Sequence, residues 1–126
     1  MITEDYVSFE TAKLLKEKGF NEYCRAFRSP SGKLFYSSHD IKNFEDGKTI
    51  GAAIAAPTLQ MAMKWLREVH NIAIVVTPSI FWGKYNVSIY KKGNDYPYGF
   101  DGGDLVPSYE QACEAAIKYY LEHLIE

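Results

Sequence analysis

The ionisable side chain best placed for chemistry in this 126-residue chain is His70, which follows Arg67 and Glu68 at the end of a helical pattern. A position at a helix C-terminus favours the imidazolium, and together with Arg67 it could hold an anionic ligand. The reading preferred on the capping argument is a helix-ending histidine that hydrogen-bonds a last-turn carbonyl. Asp101-Gly102-Gly103-Asp104 sets two carboxylates around permissive backbone, which suits Ca²⁺ or general acid/base work. The alternating oxygen ligands and distal Glu of an EF-hand loop are missing, so a solvated turn is the expectation. His39-Asp40 could bind a metal or act as a base, but no third ligand stands at suitable spacing. We expect a turn there, with Asp40 capping a short helical segment through Asn43. Ser31-Gly32-Lys33 is not a phosphate-binding loop, because the preceding Gly is absent and a strand follows instead of a helix.

Cys24 and Cys113 have no Cys or His at metal-ligand spacing. Both fall at predicted core positions, where a reduced cysteine acts as a small apolar residue; a disulfide between them has no support in the sequence. A second class of chemistry is stacking. Trp82, Tyr85, Tyr90, Tyr96, Tyr98 and Phe100 all belong to one hairpin and its following loop, where rings with polar tips could stack on a sugar or base, or form a protein interface. Most of the chain's aromatics are nonetheless expected to fill the core and cover the sheet. Lys84, Lys91 and Lys92 near this stretch are opposed by Asp95, Asp101 and Asp104, which argues against nucleic acid.

Three helices must position these groups, and their openings are alike. Ser8-Phe9-Glu10-Thr11-Ala12, Thr58-Leu59-Gln60-Met61-Ala62 and Ser108-Tyr109-Glu110-Gln111-Ala112 recur every 50 residues, each with a hydroxyl at the N-cap and an Ala one turn later. The first helix runs from about Ser8 to Lys18 and ends at Gly19. In the second, Leu59, Ala62, Met63, Leu66, Val69 and His70 line one face, and Met61 and Trp65 add a second apolar face. Such a helix is covered on two sides, by the sheet and by another helix or another subunit. The third, Ser108 to about Ile125, turns Tyr109, Ala112, Cys113, Ala116, Ile117, Tyr120, Leu121 and Leu124 inward, and Ser108 with Gln111 forms a capping box.

Between the helices lie β-rich runs joined by Pro and Gly. Tyr23–Phe27 and Leu34–Tyr36 flank Ser29–Lys33, and Ile72–Val76 and Tyr85–Tyr90 flank Thr77–Lys84, giving two hairpins. Ile72–Val76 is apolar throughout, as for a central strand, whereas Tyr85, Val87 and Ile89 alternate with polar residues, as for a half-exposed one. Pro78 should end its strand. The expected fold is α+β in two layers: three helices and an antiparallel sheet of about four strands, in the order α-ββ-α-ββ-α. The repeat has two readings, an internal duplication or convergence on common capping chemistry.

One domain is expected: a helix-hairpin unit over 8–38, a loop over 39–56, a second helix-hairpin unit over 57–91, an aromatic Gly-rich loop over 92–106 and a closing helix over 108–125. The long loops are the first place to look for a site. A length of 126 residues suffices for a core without metal or disulfide support. Fourteen basic against sixteen acidic residues leave a formal charge of -2, with no electrostatic footprint for nucleic acid or anionic membrane. With no long apolar run and a polar N-terminus, Met1-Ile2-Thr3-Glu4-Asp5, neither a signal peptide nor a membrane span is expected, and the cytoplasm is the default location.

Three stretches, Thr11–Phe20, Ala56–Asn71 and Glu110–Tyr120, resemble short uncharacterised proteins of gut Bacteroidetes, often encoded near prophage or mobile-element genes. The resemblance spans all three helices, most specifically Trp65–Asn71, and implies a phage-associated origin but no activity and no functional residues. From residue 57 onward the order of helix, strands and helix also resembles the double-stranded RNA-binding domain. The last helix, however, opens on Ser108-Tyr109-Glu110-Gln111 where that family carries lysines, which puts RNA binding in doubt.

No pair or triad of catalytic groups has recognisable spacing, so no catalytic residue, cofactor or metal is assigned. The preferred expectation is a non-enzymatic interaction module, binding itself as a homodimer or another protein through Met61 and Trp65 or the aromatic loop. The alternative is a small-molecule binder or enzyme with its site between the long loops, around His70, Asp101 and Asp104.

Overall fold

A computed structural model describes residues 2–43, 53–78, 84–93 and 106–124. The architecture is α+β, with three helices and antiparallel sheets in the expected order. The strands are shared between two small sheets, one of three strands and one of two. The chain divides into two compact units, Met1–Thr58 and Leu59–Glu126, beside the point where the second helix-hairpin pattern begins.

In the first unit, α1 (Phe9–Glu17) opens where the Ser8 side chain accepts the Thr11 N–H at 3.2 Å. The hydroxyl thus satisfies one of the orphan donors of the first turn. The helix closes with a Schellman motif: Gly19 N–H donates to Lys16 O and Phe20 N–H donates to Leu15 O, at 3.1 and 2.8 Å. Gly19 takes φ 97°, a left-handed conformation that disfavours a Cβ. Leu15 and Phe20, the pair whose apolar contact usually accompanies this motif, are both fully buried.

The hairpin β1 (Cys24–Arg28) and β2 (Leu34–Ile41) is antiparallel, with Phe27 opposite Phe35 and Arg28 opposite Leu34. Gly32 turns it at φ 92°, donating its N–H to Ser29 O. The register shifts between Cys24 and Ala26, whose partners are Ile41 and Tyr36, so the extra residues of this irregularity lie in the longer β2. A two-residue strand, β3 (Ile54–Ala55), pairs with the other side of β1. The strand order is therefore β2-β1-β3.

Two expectations are corrected here. His39 and Asp40 do not begin a loop or cap a helical turn; they lie within β2, where Asp40 faces exposed Arg25 at 3.6 Å. The cross-strand partner wins over the local turn propensity of Asp. The loop expected over 39–56 contains β3, whose two residues are too few to give a periodic signal.

In the second unit, α2 (Leu59–Val69) leads into β4 (Ile72–Pro78), which pairs along its whole length with β5 (Tyr85–Lys91). Pro78 ends its strand, as expected. β4 is not a central strand. Its only partner among the described residues is β5, and Val75 is 40% exposed, because a two-stranded sheet here covers one face only. Val69 is likewise 54% exposed rather than on the buried face, since α2 ends there and the chain turns away through Asn71 at φ 58°. Asn is among the few residues that tolerate this left-handed position after a helix.

Tyr85 and Val106 exchange both backbone hydrogen bonds, at 2.9 and 3.0 Å, and so lead the chain into α3 (Tyr109–Tyr119). Ser108 caps α3 by accepting the Gln111 N–H at 3.1 Å. The α-helix stops at Tyr119, short of the expected end near Ile125, and Tyr120–Leu124 winds on as a π-helical turn. Ala112, Cys113, Ala116, Ile117, Tyr120 and Leu121 are buried as the periodicity requires, while Tyr109 is only half-buried.

Candidate functional site

The C-terminus of α2 and the adjoining end of the β4-β5 sheet hold the most informative side chains. Asn71 turns the chain from helix to strand, and its carbonyl accepts the Lys92 N–H at 2.9 Å. Ile72 lies opposite Lys91 in the ladder. This closure brings residues more than twenty positions apart in sequence to one place. The result is an open cleft of about 320 Å³ lined by Arg67, Asn71, Ile72, Ala73, Tyr90, Lys91, Lys92 and Gly93.

Among the described residues, three cations line this cleft and no carboxylate does. Arg67, Lys91 and Lys92 are all exposed. Among the described residues, the ion pairs involve Arg25 with Asp40 and Lys118 with Glu122, and none of the cleft's cations.

His70 does not join Arg67 there. Its ring packs edge-on to Trp65, with centroids 4.8 Å apart at 65°, and to Tyr120, 6.0 Å away at 68°. Its backbone N–H donates to Leu66 O, and Nε2 is buried without a hydrogen-bond partner. The less favoured reading, a charged imidazolium beside Arg67, is therefore not supported. Burial lowers the His70 pKa, because desolvation between two aromatic rings outweighs the attraction of the helix C-terminus.

A pH dependence follows from that shift. An unfolded histidine takes a proton as pH falls through 6.5, the folded one resists, and the folded state therefore loses stability as pH falls below this value. His70→Phe keeps a ring against Trp65 and Tyr120 and removes the unpaired nitrogen. We expect it to stabilise the protein by about 1 kcal/mol and to flatten the acid slope between pH 6.5 and 5. Urea unfolding midpoints measured across that range check this; a destabilised variant with the slope intact would show that Nε2 has a partner.

Trp65 is buried, so the second apolar face of α2 is covered, and Met61 on the same face is half-buried. Tyr85 is half-buried, edge-on to Tyr109, which in turn accepts a hydrogen bond from Gln60 Nε2 at 3.1 Å. Trp82, Tyr96, Tyr98, Phe100, Asp101 and Asp104 lie outside the described residues. Of the sequence candidates among the described residues, then, Arg67 and the stacking candidate Tyr90 line the cleft.

The cysteines are not poised for chemistry. Burial, with the charges of Glu22 and Asp40, pushes the Cys24 thiol up to about 12, and burial also raises Cys113. Both thiols are free and buried, so neither is a ready thiolate near neutral pH. Among the described residues no group of three or more His, Cys, Asp or Glu is placed to hold a metal ion.

A second surface escaped the sequence reading. β2 is one of the two outer strands of its sheet among the described residues, and Phe35 and Tyr36 on it are 37% and 69% exposed. Phe35 stacks on Phe27 at 5.4 Å with the Lys33 ammonium 5.1 Å from its ring, and Tyr36 packs edge-on to Tyr6. Adjacent aromatics in one strand point to opposite faces, so one of the two had to turn away from any single core.

Compared with known protein families, curated proteins and solved structures, the chain matches none. No helix among the described residues is long and apolar enough to cross a membrane.

Proposed function

We propose that the protein is a non-enzymatic interaction module that self-associates through the outer edge of β2. The supporting observation is an eight-residue edge strand carrying exposed Phe35 and Tyr36, with no further strand against it among the described residues. Such an edge presents unpaired backbone donors and acceptors and is a template for another strand. Two copies related by a two-fold axis between Tyr36 and Ser37 would extend the ladder antiparallel and set Lys33 opposite Asp40 of the second copy. That charge match favours like pairing with like. The resemblance to short proteins near prophage genes fits a small adaptor, and we read its origin as a mobile element.

Light scattering at micromolar concentration tests this. The native chain is expected at twice 14.4 kDa and Tyr36→Lys at 14.4 kDa, since the added charge opposes edge pairing. A native chain that runs only at 14.4 kDa overturns the reading.

A further inference from the structure

The cleft at the end of α2 is chemically unlike the rest of this mildly acidic protein. Arg67, Lys91 and Lys92 line it, with no carboxylate among its described lining residues, in a chain with a formal charge of -2. Basic side chains usually spread over a surface or pair with acids; three gathered around one concavity make a local positive potential. Part of this charge offsets the partial negative end of the α2 dipole, roughly half an elementary charge. The rest of it is available to a ligand.

The walls narrow the class of ligand further. Tyr90 offers a ring 36% exposed, and Ile72 and Ala73 supply apolar wall. Arg67 can grip two oxygens of a phosphate with one guanidinium, while the lysines act as point charges. A volume of about 320 Å³ suits a small molecule and not a macromolecular surface. The cleft mouth is also set firmly: the hydrogen bond from Lys92 N–H to Asn71 O fixes the two basic segments relative to each other, with the Gly93 turn at φ 93° beyond. We propose that this cleft binds a small phosphorylated molecule carrying an aromatic ring, a nucleoside monophosphate, with Arg67, Lys91 and Lys92 on the phosphate and the base against Tyr90.

Titration of the full chain with adenosine 5′-monophosphate, followed by amide chemical shifts, tests the site. Saturable changes are expected at Asn71, Lys91, Lys92 and Gly93. Adenosine, lacking the phosphate, and inorganic phosphate, lacking the ring, should each bind at least about tenfold more weakly. Arg67→Ala and Lys92→Ala should each weaken the nucleotide by about tenfold, and Lys92→Arg should bind like the native chain. Both residues are exposed, and an unchanged spectrum away from the cleft confirms folding; should either alanine variant unfold, Lys91→Gln replaces it. No saturation by the nucleotide, changes centred elsewhere, alanine variants that bind undiminished, or equal binding of adenosine or inorganic phosphate would each overturn the proposal.

Discussion

Phe20→Ala is expected to cost about 3–5 kcal/mol of folding stability, the largest effect of any single substitution considered for this chain. The side chain is fully buried, and its loss leaves a cavity that a small unit can only partly close. The residue also ends α1: its N–H satisfies Leu15 O, and its carbonyl accepts Asn43 Nδ2 at 3.1 Å. Asn43 Oδ1 in turn accepts the Ala55 N–H at 3.0 Å, so one amide ties the helix end to β3. Gly19→Ala separates backbone from packing, because it leaves Phe20 in place and strains only the left-handed turn, at about 1–2 kcal/mol. Urea denaturation of both variants gives the comparison. Equal losses would mean that the turn, and not the buried ring, holds this end of the helix.

Arg28→Met should lose about 3 kcal/mol, although it replaces a charge with a side chain of similar length. Arg28 Nε donates to Val7 O and Nη1 to Gly32 O, both at 2.9 Å, and Nη2 reaches Tyr6 O at 3.4 Å. One guanidinium thus holds the segment before α1 and the turn of the β1-β2 hairpin. Hydrogen bonds from a charged donor contribute about 1.5–3 kcal/mol, and the part-buried carbonyls are left without a donor when it goes. Arg28→Lys should recover only part of the loss, since one ammonium cannot reach three carbonyls in that fork geometry. Thermal unfolding of the three proteins is the check. A Lys variant as stable as the native chain would show that charge alone matters. Because the same turn presents β2, Arg28→Met should also weaken self-association.

The contrast between these two residues shows what the sequence could convey. Ser8, Gly19 and Ser108 act on backbone within a few positions of themselves, so the helix ends are readable along the chain. The same holds for both hairpins, whose strands are joined by short runs of Pro and Gly. Arg28 and Asn43 reach 21 and 23 positions away, and nothing in their neighbourhood marks those partners. The basic cleft was half visible. Arg67 was noticed with His70 one helical step on, but the partners that matter, Lys91 and Lys92, arrive only through the β4-β5 register. His70 misled because helix-end electrostatics can be read from position, whereas enclosure by Trp65 and Tyr120 depends on tertiary packing. Helical periodicity places Val69 inward and the apolarity of its strand places Val75 inward, but neither signal says how many layers cover a helix or a sheet.

The pairings of the first unit also bear on synthesis. The β1-β2 and β1-β3 ladders and the bridge between Tyr6 and Thr58 all close within the first 58 residues. Their loops are short on the scale that slows folding. As the nascent chain emerges at about 5–20 residues per second, this sheet has every strand partner seconds before α3 leaves the ribosome. On the edge pairing proposed for β2, the encounter between two copies can then begin on neighbouring ribosomes of one messenger, ahead of release.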